Sequence, residues 1–151
     1  MRLAGKVAIV VGAGQTAGDT IGNGRATAIL FAREGARVLL VDRDPVSVRE
    51  TQQLIEREQG LAQIFIGDVT DEGSCARMAD ECLVAFGRID VLHYNVGIAT
   101  SDDELTRLAA SAWDQILDVN LKGAFLAAKH VLPVMREQQG GSIINVSSLA
   151  A

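Results

Sequence analysis

No run in this sequence is long and apolar enough to cross a bilayer. Arg2 and Lys6 ahead of an apolar run imitate a secretion signal, but Gly12 to Asp19 break the pattern too early and no clean cleavage site follows. Basic residues are the minority charge. With 14 Lys and Arg against 19 Asp and Glu, the net charge is −5 and the pI near 5.0, which argues against a nucleic-acid or anionic-membrane surface. The only cysteines, Cys75 and Cys82, are seven positions apart on a helix-patterned stretch. That is about two turns, or ~10 Å, too far for a bridge. They read as small core thiols in a reducing compartment, which implies a cytoplasmic address. His93 and His130 have no ligand cluster around them, so no metal site is expected. Repeats, linkers and low-complexity tracts are absent too. At 151 residues, 48% hydrophobic and 22% charged, residues 1–151 are expected to form a single globular domain with a real core.

What is present begins at Lys6. Val7-Ala8-Ile9-Val10-Val11 is too short for a helix and too apolar for a loop, so it reads as a strand buried on both faces. Gly12, Gly14, Gly18, Gly22 and Gly24 crowd the turn that follows. From Arg25 to Glu34, Ala26, Ile29 and Leu30 fall at helical spacing, with Gly35 as the stop. Val38 to Val41 is a second strand, and Asp42 stands at its carboxyl end. Strand, glycines, helix, strand, acid is the order that a dinucleotide site requires. Glycines admit a pyrophosphate, a helix N-terminus offers it N–H groups and a positive dipole, and the acid takes a ribose diol. No Gly-x-x-x-x-Gly-Lys-Ser/Thr occurs, which argues against an ATP or GTP phosphate loop. A carboxylate at Asp42 repels a 2′-phosphate, so NAD is favoured over NADP, although the adjacent Arg43 softens that preference.

The alternation continues. Asp44 and Pro45 open a helix that runs to Gly60, and Ile64-Phe65-Ile66 make a third strand before Gly67-Asp68-Val69. Cys75, Met78, Ala79, Cys82, Leu83 and Phe86 mark one helix face, stopped at Gly87. Ile89 to Leu92 form a fourth strand, ending in Tyr94-Asn95-Val96-Gly97. Leu105, Leu108, Ala109, Ala112 and Ile116 mark another helix, and a further one spans Leu121 to Glu137, with Pro133 inside it. Gly140-Gly141 break it, and Ile143 to Val146 form a fifth strand before Ser147-Ser148. Five strands alternating with helices predict an α/β fold, a doubly wound parallel sheet of the Rossmann type with helices on both faces. Gly12, Asp42, Asp68, Asn95 and Ser148 all lie just past carboxyl ends of these strands, where such a sheet binds its ligands.

Taken in order, the glycine turn, Gly67-Asp68-Val69, Asn95-Val96-Gly97, Val119-Asn120-Leu121-Lys122-Gly123 and Ile143 to Ser148 resemble the short-chain dehydrogenase/reductase family over the whole chain. The resemblance implies an NAD-dependent oxidoreductase moving hydride between an alcohol or ketone and the nicotinamide. Asp68 and Val69 would sit at the adenine, and Asn95 and Gly97 along the cofactor. Asn120 would anchor a proton-relay water, and Ser148 would hydrogen-bond the substrate oxygen. Gly12, Gly22, Asn23 and Gly24 would be the phosphate turn. The Leu121–Glu137 helix resembles one used for dimer contacts, which implies a homo-oligomer in the full-length form.

The sequence departs from the family pattern at three places. The family turn has the form Gly-x-x-x-Gly-x-Gly, whereas nine residues separate Gly12 from Gly22, with Val11 in place of a threonine and Asn23 in place of an isoleucine. Which glycines touch the pyrophosphate stays open between Gly22 and the pair Gly14 and Gly18. The extra six residues include Asp19, a charge unsuited to a pyrophosphate, so the loop is expected to bulge away. Tyr94 replaces the first residue of an Asn-Asn-Ala-Gly segment, a change of packing rather than chemistry. The family's general base is a tyrosine about thirteen residues after the serine, with a lysine about four further on to lower its pKa. Here the sequence stops three residues past Ser148, at Ala151, and its single tyrosine is Tyr94. The expectation is therefore the cofactor-binding part of a longer dehydrogenase, lacking the C-terminal strands and inactive alone. The alternative is a non-catalytic nucleotide-binding or assembly module.

Overall fold

The computed structural model describes residues 1–99, 104 and 106–148. The described residues contain five strands: β1 (Val7–Val11), β2 (Arg37–Asp42), β3 (Leu61–Ile66), β4 (Val91–Tyr94) and β5 (Ser142–Asn145). They form one sheet in the order β3-β2-β1-β4-β5, and every neighbouring pair is parallel. Parallel neighbours need crossovers, which are supplied by α1 (Asn23–Arg33), α2 (Pro45–Arg57), α3 (Glu72–Phe86), α4 (Ala110–Leu117) and α5 (Gly123–Glu137). A π-helical turn, Asp118–Lys122, joins α4 to α5. The molecule is a doubly wound α/β sheet.

All five residues of β1 are buried. Because both faces of a parallel sheet are covered, its strands show continuous apolar runs rather than alternation. Alternate side chains nevertheless serve different layers. Val7, Ile9 and Val11 pack with Met78 and Cys82 of α3 and Val131 of α5, whereas Val10, Val38 and Leu40 pack with Ala28 of α1 and Val48 and Ile55 of α2. Cys75 and Cys82 lie in or beside this core as free thiols, and burial pushes them up to about 11 and about 12. Among the described residues, no helix is long and apolar enough to cross a membrane.

Helix ends follow local chemistry. The Asp44 carboxylate accepts the N–H groups of Val46 and Ser47 at 2.9 and 3.2 Å, with Pro45 in the first turn of α2. Asp71 does the same for α3 through Gly73 and Ser74, at 3.0 and 3.1 Å. Gly87 closes α3 at φ +78°, a conformation that favours glycine.

Several boundaries differ from the sequence reading. Helix α1 starts two residues earlier, at Asn23, and α2 stops at Arg57 because Gln59 turns left-handed, at φ 63°. Strand β3 starts at Leu61 rather than Ile64, since an edge strand with half-exposed side chains lacks an unbroken apolar run. Strand β4 is Val91–Tyr94 rather than Ile89–Leu92, because Asp90 turns its carboxylate back onto the N–H of Val7 at 2.9 Å. The helix expected over Leu105 to Ile116 is Ala110–Leu117, and Leu105 itself lies outside the described residues. The next helix runs on from it through the π turn and passes Pro133 without a break. Strand β5 begins and ends one residue before the expected bounds.

Candidate cofactor site

From β1 the chain winds outward through β2 to β3, then crosses back so that β4 lies on the other side of β1. The connections leaving β1 and β4 therefore diverge and open a crevice at their carboxyl ends. A cleft of about 660 Å³ occupies it, within the size range of small-molecule sites. Gly12, Gly22, Asn23 and Gly24 line it from the β1–α1 connection, and Asp42 from the end of β2. Asp68 and Val69 enter from the β3–α3 connection, and Asn95 and Gly97 from the segment after β4. Neither Asn120 nor Ser148 is in this lining, although Val119 is. Ser148 stands three residues past β5, exposed, at the same end of the sheet.

Two glycines make close approach possible. Gly12 has φ +80°, and a Cβ there would sit 3.1 Å from Val96 Cγ2. A Cβ on Gly24 would run into the carbonyl oxygen of Gly12, so the first turn of α1 rests directly on the β1 turn. Unlike α2 and α3, α1 has no side-chain cap: its N-cap is Gly22, and the first helical bond is from Ala26 N–H to Gly22 O at 2.9 Å. A helix start left without a capping carboxylate can receive an anion from outside.

The Asp42 carboxylate is held by two backbone donors, Gly14 N–H to Oδ2 at 2.8 Å and Asp44 N–H to Oδ1 at 3.0 Å. A Cβ on Gly14 would lie 2.7 Å from that Oδ2, so glycine there lets the turn reach the acid. At the next strand end Asp68 Oδ1 accepts both the N–H and the hydroxyl of Thr70, each at 2.8 Å. Those bonds, with Arg43 adding attraction, hold its carboxyl below the usual range.

The long loop between Gly12 and Gly22 is built around residues that sequence reasoning missed. Ser47 Oγ accepts the N–H of Gln15 and donates to its carbonyl at 3.0 Å. Thr51 donates to Ala13 O at 2.8 Å, and Arg25 ties Thr51, Ser47 and Glu50 together from α1. The Gln15 amide donates to Thr16 O at 2.8 Å and Thr20 O at 2.7 Å, and accepts Gly22 N–H at 2.6 Å. Gly22 N–H is thereby already engaged inside the loop. Asp19 is exposed and lies outside the cleft lining, but Thr16, Ala17, Gly18 and Thr20 line the cleft, so the excursion does not bulge clear of it as expected from the sequence. No spacing rule announces a glutamine that bonds three backbone groups of its own loop.

Tyr94 is 1% exposed, and its hydroxyl donates to Val119 O at 2.6 Å. Burial pushes its pKa well up, so it is a core tether rather than a base. Asn120 lies in the π turn. Its Oδ1 accepts Ile98 N–H at 2.8 Å and its Nδ2 donates to Ile98 O at 3.0 Å. One lone pair on Oδ1 and one hydrogen on Nδ2 remain for a water.

The comparisons with known proteins agree with this geometry. The family model described as short chain dehydrogenase matches residues 6–151. The chain belongs to this family. A Thermotoga maritima protein named 3-oxoacyl-[acyl-carrier-protein] reductase is 39% identical over 152 residues, covering 99% of this chain and 58% of the relative. Among solved structures, a Burkholderia xenovorans protein described as a short-chain dehydrogenase/reductase superposes with TM-score 0.92 at 45% identity, over 97% of this chain and 57% of that one. A metagenomic short-chain oxidoreductase in complex with NADP gives TM-score 0.90 at 34% identity, over 99% and 65%. The chain thus spans little more than half the length of the curated relative it matches.

Proposed function

We propose that this short-chain dehydrogenase uses NAD to transfer hydride between a small alcohol or ketone and the nicotinamide. The observation that carries the reading is the pairing, in one cleft, of an α1 start without a side-chain cap and an Asp42 carboxylate fixed by Gly14 and Asp44. The first turn of α1, with Gly12 and Gly24 admitting close approach, would hold the pyrophosphate, beside Gly22 and Asn23. Asp42 would take the adenosine ribose diol, and its charge opposes a 2′-phosphate. Asp68 and Val69 would border the adenine, and Asn95 and Gly97 the nicotinamide half. A bound dinucleotide supplies the hydride acceptor or donor. Asn120 would hold the Ile98 segment and a relay water, and Ser148 would hydrogen-bond the substrate oxygen. Proton transfer needs a group beyond these, since the one tyrosine of the chain is the buried Tyr94. The 151-residue chain is therefore expected to bind cofactor without turning over alcohol.

Self-association of the full-length form belongs to the same reading. Its support is an exposed apolar line at four-residue spacing, Trp113, Leu117, Leu121 and Phe125. The two unpaired core thiols fit a cytoplasmic address. No observation favours the non-catalytic module.

Titration of the protein with NAD and with NADP tests the proposal. NAD should bind about tenfold or more tightly than NADP. Asp42→Ala should weaken NAD by about 10- to 100-fold, the worth of one or two hydrogen bonds to a charged group, and narrow the gap between the cofactors. Equal NAD affinity in parent and Asp42→Ala proteins would refute it.

A further inference from the structure

We infer that Gln15 is a positioning residue that short-circuits the long loop and so creates the phosphate turn; the inference rests on the dinucleotide reading above. Its side chain spans the base of the excursion. One end accepts Gly22 N–H at 2.6 Å, the other donates to Thr16 O at 2.8 Å and Thr20 O at 2.7 Å. The backbone of Gln15 is fastened to α2 through Ser47 Oγ, which accepts its N–H and donates to its carbonyl at 3.0 Å. Gln15 thus ties the far end of the loop to the near end, and the near end to the body of the protein. A Cβ on Gly22 would sit 3.3 Å from Gln15 Oε1 and 3.9 Å from Gly14 O, so the two loop ends lie side by side.

The consequence for the turn is specific. Residues 16–21 form the excursion, and all six are exposed. Without them the backbone would read Gly12-Ala13-Gly14-Gln15-Gly22-Asn23-Gly24, which has the spacing of three residues and then one that the short glycine turn requires. The protein therefore carries a short phosphate turn with a side loop inserted into it. A free loop of this length would leave the start of α1 loosely placed, because closing it has an entropic cost that local bonds must offset. All three polar contacts of the Gln15 amide are spent on that closure, and none on a distant part of the chain.

Four proteins test this: the parent, Gln15→Ala, a deletion of residues 16–21, and the deletion combined with Gln15→Ala. Two quantities are measured in each: NAD dissociation constant, and hydrogen exchange at the Gly22 amide without ligand. Gln15→Ala should weaken NAD about tenfold and speed Gly22 exchange by at least about as much, from the loss of three hydrogen bonds. The deletion should bind NAD within about threefold of the parent, and Gln15→Ala should cost nothing further in that background, a non-additivity expected only of coupled elements. A generally destabilising side-chain loss would instead cost the same factor in both backgrounds. The inference is overturned by that equality, by unchanged Gly22 exchange, or by faster exchange with unchanged NAD affinity. A parent that binds no NAD overturns the dinucleotide reading itself, and Gly22 exchange then still reports whether Gln15 closes the loop. If the deletion does not fold, Gln15→Glu decides. It keeps the acceptor for Gly22 and loses both donors at neutral pH, so NAD binding should fall about threefold or more. Measured relative to the parent at the same pH, binding should recover in part towards pH 4, as a side chain with ordinary pKa ≈ 4.3 regains one proton to donate; a relative loss independent of pH would overturn the inference.

Discussion

At the amino end of the sheet, opposite the cleft, Asp90 joins two segments of chain, the start of β1 and its own approach to β4. Its carboxylate accepts Val7 N–H at 2.9 Å, Arg88 Nε and Nη2 at 2.8 and 2.6 Å, and Lys6 Nζ at 3.3 Å, while its side chain is only 8% exposed. Replacing it by alanine leaves the Val7 N–H without a partner, which costs about 1–3 kcal/mol. The Lys6 and Arg88 side chains are 50% and 45% exposed, so their ion pairs are solvent-screened and add no more than about 1 kcal/mol together. The total is about 1–4 kcal/mol, and the urea midpoint should fall by about 0.5–2 M for a slope of about 2 kcal/mol/M. Asp90→Asn keeps an acceptor for Val7 and should lose roughly half as much. The pH dependence has a fixed sign. Burial works against ionisation, but Arg88, Val7 N–H and Lys6 outweigh it and hold the Asp90 carboxyl below its usual range. A carboxyl with a depressed folded pKa contributes stability above its unfolded pKa, near 3.9, and loses it as pH falls through the folded value. The gap between parent and Asp90→Asn should therefore be full at pH 7 and shrink below about pH 4. NAD affinity of the folded variant should not change, because the cleft lies at the other end of the strands. A urea midpoint for Asp90→Ala within about 0.3 M of the parent, against the fall expected from the usual slope, or a gap constant through the acid range, would refute this assignment.

Gly24→Ala places a methyl group against the Gly12 carbonyl oxygen and 3.0 Å from Asn95 Nδ2; overpacking of this kind costs about 1–3 kcal/mol, read as a lower melting temperature together with loss of NAD binding. Asn120→Ala should leave the melting temperature nearly unchanged and expose the Ile98 amide to exchange, with cofactor affinity down about threefold to tenfold; a still-protected Ile98 would show that the amide pair does not hold that segment. Tyr94→Phe removes the bond to Val119 O and should lower stability by about 1–2 kcal/mol in urea melts.

The strands most legible in the sequence are those buried on both sides. Val7–Val11 and Val38–Val41 are unbroken apolar runs because helices cover both faces of the sheet centre. At the edges the signal fades. Leu61 and Ile66 of β3 are 63% and 48% exposed, and Gln63 sits between them, so only the last three residues read as a strand. The strand-end positions Gly12, Asp42, Asp68 and Asn95 were visible because topology alone sends every carboxyl end of a parallel sheet to one crevice. Gln15 was not visible. Its role depends on where a side chain lands among backbone groups one, five and seven residues away, and no composition or period encodes that. Asp90 was hidden for a related reason: it precedes a strand and bonds a residue 83 positions earlier.

The π turn shows how one irregular stretch can serve the site while meeting the cleft only through Val119. A π turn holds an extra residue relative to the α-helix, and the positions after it rotate by about 100°. Here that stretch is fixed on two sides. Tyr94 Oη bonds Val119 O from the core, and a Cβ on Gly123 would strike that same hydroxyl while approaching Val69 Cγ2 to 2.9 Å. On the outer side, Asn120 pairs both ways with the backbone of Ile98. Strand β4 thus fixes the helix through its last residue, and the helix in turn holds the segment that leaves β4. Tyr94, Gly123 and Asn120 act as one unit whose product is the position of Gly97 and Ile98 at the cleft edge. That unit explains why a bulky phenol is tolerated at the end of β4: the space beside it is kept open by glycine, and its one polar atom has a carbonyl to satisfy it.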